Sequence, residues 1–366
     1  MNTNTDTKIQ DEDEDIFLSE HEPMGFDTEP DVPSKYKDIR ALVRGLYAIM
    51  KLRVAIGNRI TTSFKVKLGI PSSTAEKSKK EENELLELIR SEYVRITDEV
   101  KKLTMALKSD SKIITTQCEL VLINSYEIML QSEKDHMDAL TKEVAKSDIW
   151  NEWLVDVHGC GIKMAAVIIS EINVHKANSM AALEKYCGVD VVLKRDDNGE
   201  FILDNDGNVI GEGRSRKARH LVDKVYTDCE NTAIHTKGIS FNPFLKTKMV
   251  GVLGGSFIKK GGPYRVVYDN YKARLYLNPK HKDKSVGHKH NMAIRYMIKE
   301  FLADLWKVWR TIEGLPLKPR YAEAKLGIHH GEPCRVQAWV DNYNRRHPAS
   351  VSDILENYKL DQQTTG

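Results

Sequence analysis

Ile89, Tyr93, Ile96, Val100, Leu103 and Leu107 stand at steps of 4, 3, 4, 3 and 4. That repeat gathers all six onto one stripe of an α-helix, a heptad seam that is stable only when another helix covers it. A strand would need apolar residues at every second position, so the seam excludes one here. After Ser109-Asp110-Ser111, residues 113–146 carry a second stripe, with Leu122, Tyr126, Met129, Met137, Leu140 and Val144. Ahead of both, Ser34 can cap a helix over residues 35–60, where Ile39, Leu42, Val43, Leu46, Ile49 and Met50 recur at helical spacing. Gly69-Ile70-Pro71-Ser72-Ser73 then breaks the pattern. The expectation is a long helical hairpin, or a coiled coil through which the chain forms a homo-oligomer. Residues 1–150 hold no alternating, β-branched run bounded by turns, so no sheet is expected there.

Net charge conceals a strong asymmetry. Residues 1–33 carry eleven acids, including the run from Asp11 to Asp15, against the single base Lys8. Residues 211–290 carry seventeen Lys and Arg against six acids, and five histidines besides. An acidic tail on a basic body suits a protein that binds a polyanion, because the tail competes for the same surface. A solvated, disordered tail that aids solubility explains the tail equally well. No apolar run reaches the roughly 18 residues of a membrane span, and no apolar signal core opens the chain. The five cysteines are scattered without a CxxC pair, which argues against a disulfide framework or zinc ribbon. A cytoplasmic protein, nucleoid-associated when bound to DNA and without membrane contact, is expected.

Strand signals appear only at residues 189–193, 201–203 and 208–210, around Asp204-Asn205-Asp206-Gly207. That turn superficially resembles a calcium loop but lacks the acidic ligand downstream, and a hairpin turn is expected. From Asn242 the pattern is helical again. It ends in a long helix over residues 291–312 that buries Ile294, Ile298, Phe301, Leu305, Val308 and Ile312, with Arg295, Lys299 and Arg310 on other faces.

The sharpest local motif runs from Trp153 to Ile168 and reads as helix, Gly159-Cys160-Gly161 turn, helix. Glycines permit the tight turn and leave backbone N–H groups free at the start of the second helix. Those amides can bind a DNA phosphate, with Lys163 adding a point charge, and the contact reads backbone rather than sequence. An ordinary glycine-packed turn is the alternative. A dinucleotide fingerprint is excluded, since no strand precedes the glycines and a third glycine is missing.

Two basic stretches follow. One holds Arg214, Ser215, Arg216, Lys217 and Arg219 behind Gly211-Glu212-Gly213. The other holds Lys259, Lys260 and Arg265, continuing into Tyr268, Tyr271, Lys272 and Arg274. Cations interleaved with aromatics suit phosphate contact plus stacking, while a solvated charged surface is the plainer alternative. His288 with His290, and His329-His330 with Cys334, have metal-ligand chemistry but no spacing that sets a site, so no metal ligand is assigned.

The block from Trp153 through Tyr186-Cys187-Gly188, Phe241–Thr247, Ser256-Phe257 and the helix after Ala293 resembles the C-terminal half of the insertion-sequence 110/116/902 family of transposases. The glycine turn is similar to that family's GIG motif. Residues 183–188 and 242–247 resemble its aGL and LR segments, and the preceding helices resemble its coiled-coil linker. The likeness covers roughly residues 80–310. It implies DNA as partner, structured RNA as a guide, and a serine nucleophile in a basic stretch that Ser215 matches by context; Ser240 and Ser256 match less well. It also implies an N-terminal RuvC-like domain binding Mg2+ through four acids. Residues 1–150 carry no strand signal for such a domain, so no cofactor is evident, and Mg2+ enters only if a separate RuvC-like partner supplies it. Ser215 has two readings: a nucleophile whose transition state Arg214, Arg216 and Arg219 stabilise, or a hydrogen-bond donor in a phosphate-binding loop.

These readings combine into a mainly α protein. Residues 1–33 form a disordered acidic tail, 34–148 a helical hairpin or coiled coil, and 149–314 a helix-hairpin-helix DNA-binding domain with a small β insert. A helical C-terminal extension occupies 315–366. The expected function is a transposase-related DNA-binding protein. An interaction scaffold with a DNA-mimicking tail is the alternative.

Overall fold

The computed structural model describes residues 36–70, 75–98, 111–196, 198–203, 207, 209–227, 232–319 and 335–347. The acidic tail, seam positions Val100, Leu103 and Leu107, the turn at Asp204-Asn205-Asp206, and His329, His330 and Cys334 lie outside them. The chain is mainly α-helical, with two two-stranded sheets among the described residues. It divides into two units, Lys37–Val144 and a second made of Met1–Tyr36 with Ala145–Gly366.

The first unit is three helices: α1 (Lys37–Leu68), α2 (Ala75–Asp98) and α3 (Gln117–Val144). Helix α1 outruns the expected 35–60 and stops where Gly69 turns left-handed at φ 64°. There the Ile70 N–H reaches back to the Lys65 carbonyl, closing the helix end in the manner a C-terminal glycine allows. Helix α3 begins with a capping box. The Glu119 N–H donates to Thr116 Oγ1 while Glu119 Oε2 accepts the N–H groups of Thr115 and Thr116. Seam residues Ile89, Tyr93 and Ile96 are buried against Ile56, Ile60 and Phe64 of α1 and Leu120, Ile123 and Tyr126 of α3. The described part of the heptad seam, Ile89 to Ile96, is therefore covered from within its own chain. Each fully buried side chain of this size contributes roughly 1.5–3 kcal/mol.

The second unit is organised by a central helix, α10 (Val286–Ile312), capped by the Ser285 hydroxyl. Its buried residues include the expected stripe except Ile312, which is only half-buried. They also include Leu302, Trp306, Trp309 and Arg310, the last expected on another face, because neighbours cover the helix on several sides. Around it in sequence come α4 (Asp148–Glu152), a 3-10 turn (Leu154–Asp156), α5 (Ile162–Glu171), α6 (Met180–Tyr186), β1 (Val191–Leu193), β2 (Gly211–Gly213) and a 3-10 turn (Ala218–His220). Then follow β3 (Val222–Thr227), β4 (Ala233–Gly238), α7 (Pro243–Thr247), a π-helical turn (Lys248–Leu253), α8 (Gly254–Lys260), α9 (Pro263–Leu277) and, beyond α10, α11 (Gln337–Arg346). Trp306 Nε1 donates to the Ala177 carbonyl at 2.6 Å, and Arg310 Nη1 reaches the same oxygen and that of Val174. Arg335, leading into α11, locks onto Asp304 and Glu300 of α10.

Strands β1 and β2 pair antiparallel, with bridges at Arg195–Phe201 and Leu203–Val209. A small β insert is present as expected, but β2 at Gly211–Gly213 lies past the expected strand segments. The hairpin β3–β4 corrects the expectation that strand signals end at residue 210. Its register runs from Val222 opposite Gly238 to Thr227 opposite Ala233. Val222, Val225 and Ile234 are all exposed, so neither face of the hairpin is buried. A two-sided solvated ribbon has no reason to alternate apolar and polar residues, and that pattern was the signal sought.

Candidate nucleic-acid interface

The glycine turn forms, though its first helix is only the short α4 plus a 3-10 turn. Gly159 is left-handed at φ 96° and a side chain there would strike the Phe257 ring, so glycine is required twice over. Gly161 caps α5 with open space beside it. The turn is fastened to α8. Ser256 Oγ donates to the Gly159 carbonyl at 2.7 Å, and His158 Nε2 bonds the Lys260 carbonyl at 2.9 Å. Lys259 and Lys260 are exposed at that end of α8, just before the left-handed pair Gly261 and Gly262. The structure thus brings the glycine turn of the first motif beside the second basic stretch. Lys163 is half-buried in the first turn of α5. Arg265 is more occupied, pairing with Asp269 at 2.7 Å and donating to the Ile258 carbonyl.

Three tyrosines beside Arg265 on α9 face α10, while Tyr276 near the end of the helix is exposed. Tyr264 bonds Asp304, Tyr268 bonds His290 Nδ1 at 2.6 Å, and Tyr271 stacks on Tyr296. Tyr264, Tyr268 and Tyr271 thereby brace α9 on α10. His290 is spent on Tyr268, and among the described residues no three His, Cys, Asp or Glu side chains gather to hold a metal. Among the described residues none is assigned to a magnesium site. Cys160 and Cys187 are buried free thiols, and burial pushes Cys160 up to about 12, far from a thiolate at neutral pH.

The first basic stretch makes the more elaborate site. Arg214 is buried, its guanidinium forked onto Asp190 with Nε–Oδ1 and Nη2–Oδ2 both 2.8 Å, while Nη1 donates to Ser240 Oγ at 2.7 Å. Arg214 and Ser240 are therefore internal ties that hold the strand end beneath the loop. Ser256, bound to Gly159, is another. Arg216 and Lys217 are exposed, and nothing is described of the Arg219 side chain.

Ser215 differs from the other two serines. Its Oγ lies 2.9 Å from His220 Nδ1, and His220 Nε2 lies 2.8 Å from Glu212 Oε1. The Ser215 backbone N–H also points at Nδ1, at 2.9 Å. An N–H can only donate, so Nδ1 is the unprotonated ring nitrogen and Nε2 carries the hydrogen given to Glu212. His220 itself is buried, 7% exposed, and held by the 3-10 turn Ala218–His220.

Two cations that the sequence reading did not single out complete the site. Lys246, in α7, donates from Nζ to the Arg214 carbonyl at 2.6 Å, one peptide from Ser215, and lies over the Phe241 ring. Burial lowers it to about 8, Arg295 pushes the same way, Asp190 opposes, and Arg216 and Arg214 add to the lowering. Arg295, from α10, lies where a Gly213 side chain would be, and burial lowers it too despite Asp190. No sequence signal marks Arg295, because only the packing of α10 brings it to Gly213.

Asn242 sets α7 in place. Its side chain donates to Glu171 and Tyr186 and caps α7 through Leu245 N–H, while its own N–H bonds the Tyr186 carbonyl. The Phe241–Thr247 motif is thus a joint between the ends of α5 and α6 and the helix that carries Lys246. The chain matches no protein-family model, no curated protein and no solved structure.

Proposed function

We propose that the protein binds the phosphate backbone of DNA and acts in, or descends from, DNA transposition or recombination. One observation carries the DNA-binding part: Lys246 is held at the Arg214 carbonyl, one peptide from Ser215, with Arg295 packed against Gly213 and the exposed Arg216 next in the chain. Burial is the main cause of the lowered Lys246, and Arg295, Arg216 and Arg214 add to it while Asp190 opposes. Like charges held together cost free energy that a bound polyanion returns. The glycine turn with Lys163, Lys259 and Lys260 is a second phosphate-sized contact, built from helix-start amides and surface ammonium groups. The transposition part rests on the order of the motifs in the sequence.

The test is a titration of the full chain against labelled duplex, branched DNA and structured RNA at several salt concentrations. Each phosphate neutralised is expected to add about −0.9 to the slope of log affinity against log salt for duplex DNA. Salt-independent binding, or none, overturns the proposal. A strong preference for structured RNA replaces DNA with RNA as the partner, and preference for branched DNA favours action on recombination intermediates.

A further inference from the structure

The resemblance already points to a serine, and the proposed function supplies a phosphate beside it; what the structure adds is a base. We propose that His220, oriented by Glu212, takes the proton from Ser215 and makes it a nucleophile toward phosphodiesters. The inference rests on the phosphate-binding reading above.

The geometry supports each role. A serine hydroxyl is inert until a group within hydrogen-bond reach accepts its proton. His220 Nδ1 is at 2.9 Å, within that reach, and the ring is in the tautomer whose lone pair faces the serine. Glu212 Oε1, at 2.8 Å, accepts from Nε2 and stabilises the imidazolium that forms. The Lys217 N–H approaches Ser215 Oγ at 3.4 Å from the acceptor side, leaving the hydroxyl hydrogen for Nδ1. Here Nδ1 faces the nucleophile and Nε2 the carboxylate, a reversal of the usual serine-hydrolase arrangement that leaves the proton path intact.

The step balances with the groups on hand. As Ser215 Oγ bonds to phosphorus, its proton passes to His220 Nδ1. The bond from phosphorus to the displaced strand's ester oxygen breaks, and that oxygen takes the proton from Nδ1. The products are a phosphoserine diester and a strand ending in a free hydroxyl. Attack by another hydroxyl reverses the sequence and rejoins the strand, with no net oxidation or hydrolysis. Negative charge growing on the phosphoryl oxygens lies near Lys246 and Arg295, and the Ser215 N–H becomes a donor to it once His220 is protonated. His220 is the catalytic base; Glu212 acts through it as a positioning residue.

The experiment uses the full chain and thymidine 5′-(p-nitrophenyl phosphate), a diester that needs no duplex binding. The expected result is release of p-nitrophenolate with a thymidylyl adduct on Ser215, found by peptide mass spectrometry and absent from Ser215→Ala. His220→Gly is expected to react roughly 100-fold or more slowly, with imidazole in the buffer restoring part of the rate, which a merely structural histidine would not permit. Glu212→Gln keeps the shape and is expected to slow adduct formation about tenfold or more, so it decides the matter if the glycine variant fails to fold. No adduct on Ser215, or equal rates in the folded His220 and Glu212 variants, overturns the relay. Duplex affinity of the same wild-type preparation separates the two claims. DNA binding without an adduct removes the relay and leaves the interface; an adduct without DNA binding keeps the relay and removes DNA as its substrate.

Discussion

In the three-helix unit, Arg53 meets Glu133, Lys65 meets Glu82, Lys67 meets Glu119 and Arg90 meets both Glu127 and Glu87, so that each of these cations has at least one carboxylate. Around Ser215, by contrast, Lys246 stands among Arg295, Arg216 and Arg214, and Asp190 opposes them. Both regions sit on helical frames with full apolar cores. The difference is that one settles its charges internally and the other keeps a surplus. Repulsion among the cations weakens the fold, and the proposed phosphate ligand would relieve it.

The largest way to separate the regions is through the bundle core. Phe64→Ala empties a fully buried site and is expected to cost about 3–5 kcal/mol, read as a lower urea midpoint. DNA affinity per folded molecule should stay unchanged, and a parallel loss of affinity would show that the bundle takes part in binding. Next in size is a matched pair of charge deletions. Asp190→Asn leaves the buried Arg214 guanidinium without its fork and is expected to cost roughly 3 kcal/mol. Glu127→Gln, which strips a half-exposed pair in the bundle, should cost under about 1 kcal/mol. Equal costs would erase the contrast.

Lys246 supplies a pH signature. Its folded value near 8 lies below the ordinary 10.5, so between those values the unfolded chain holds the extra proton. Stability of the wild type relative to Lys246→Met should then rise with pH over that window, while DNA affinity falls as the ammonium is lost. Paired urea and binding series at pH 7 to 10 would check both signs, and a relative stability that falls with pH contradicts the lowered value. The smallest effect belongs to the glycine turn. Lys163→Ala and Lys260→Ala should each weaken duplex binding a few-fold and flatten the salt slope by about one. Unchanged slopes in both would confine the interface to the serine loop.

Helical periodicity made the three long helices and α10 legible, since each must bury a stripe and the stripe recurs in the sequence. The glycine turn was legible because Gly159 has a backbone angle few other residues tolerate. The serine loop was legible only in composition. Glu212, Ser215 and His220 belong to no periodic element, so their meeting depends on a β2 end and a 3-10 turn that leave no pattern. Lys246 was read as part of a helix motif and Arg295 as an off-face residue, because what brings them together is the packing of α7 and α10. The β3–β4 ribbon escaped for the opposite reason: with both faces in water, nothing in its sequence had to alternate.

Gly213 offers a control of an uncommon kind. A methyl group there would overlap the end of the Arg295 side chain, a flexible tip that can swing aside at little cost to folding. Gly213→Ala would change no ionisable group, yet it would relocate a positive charge. One carbon atom thus works as a dial on the local field, and laboratory or natural drift at this position could retune the loop's appetite for anions while every charged residue stayed in place.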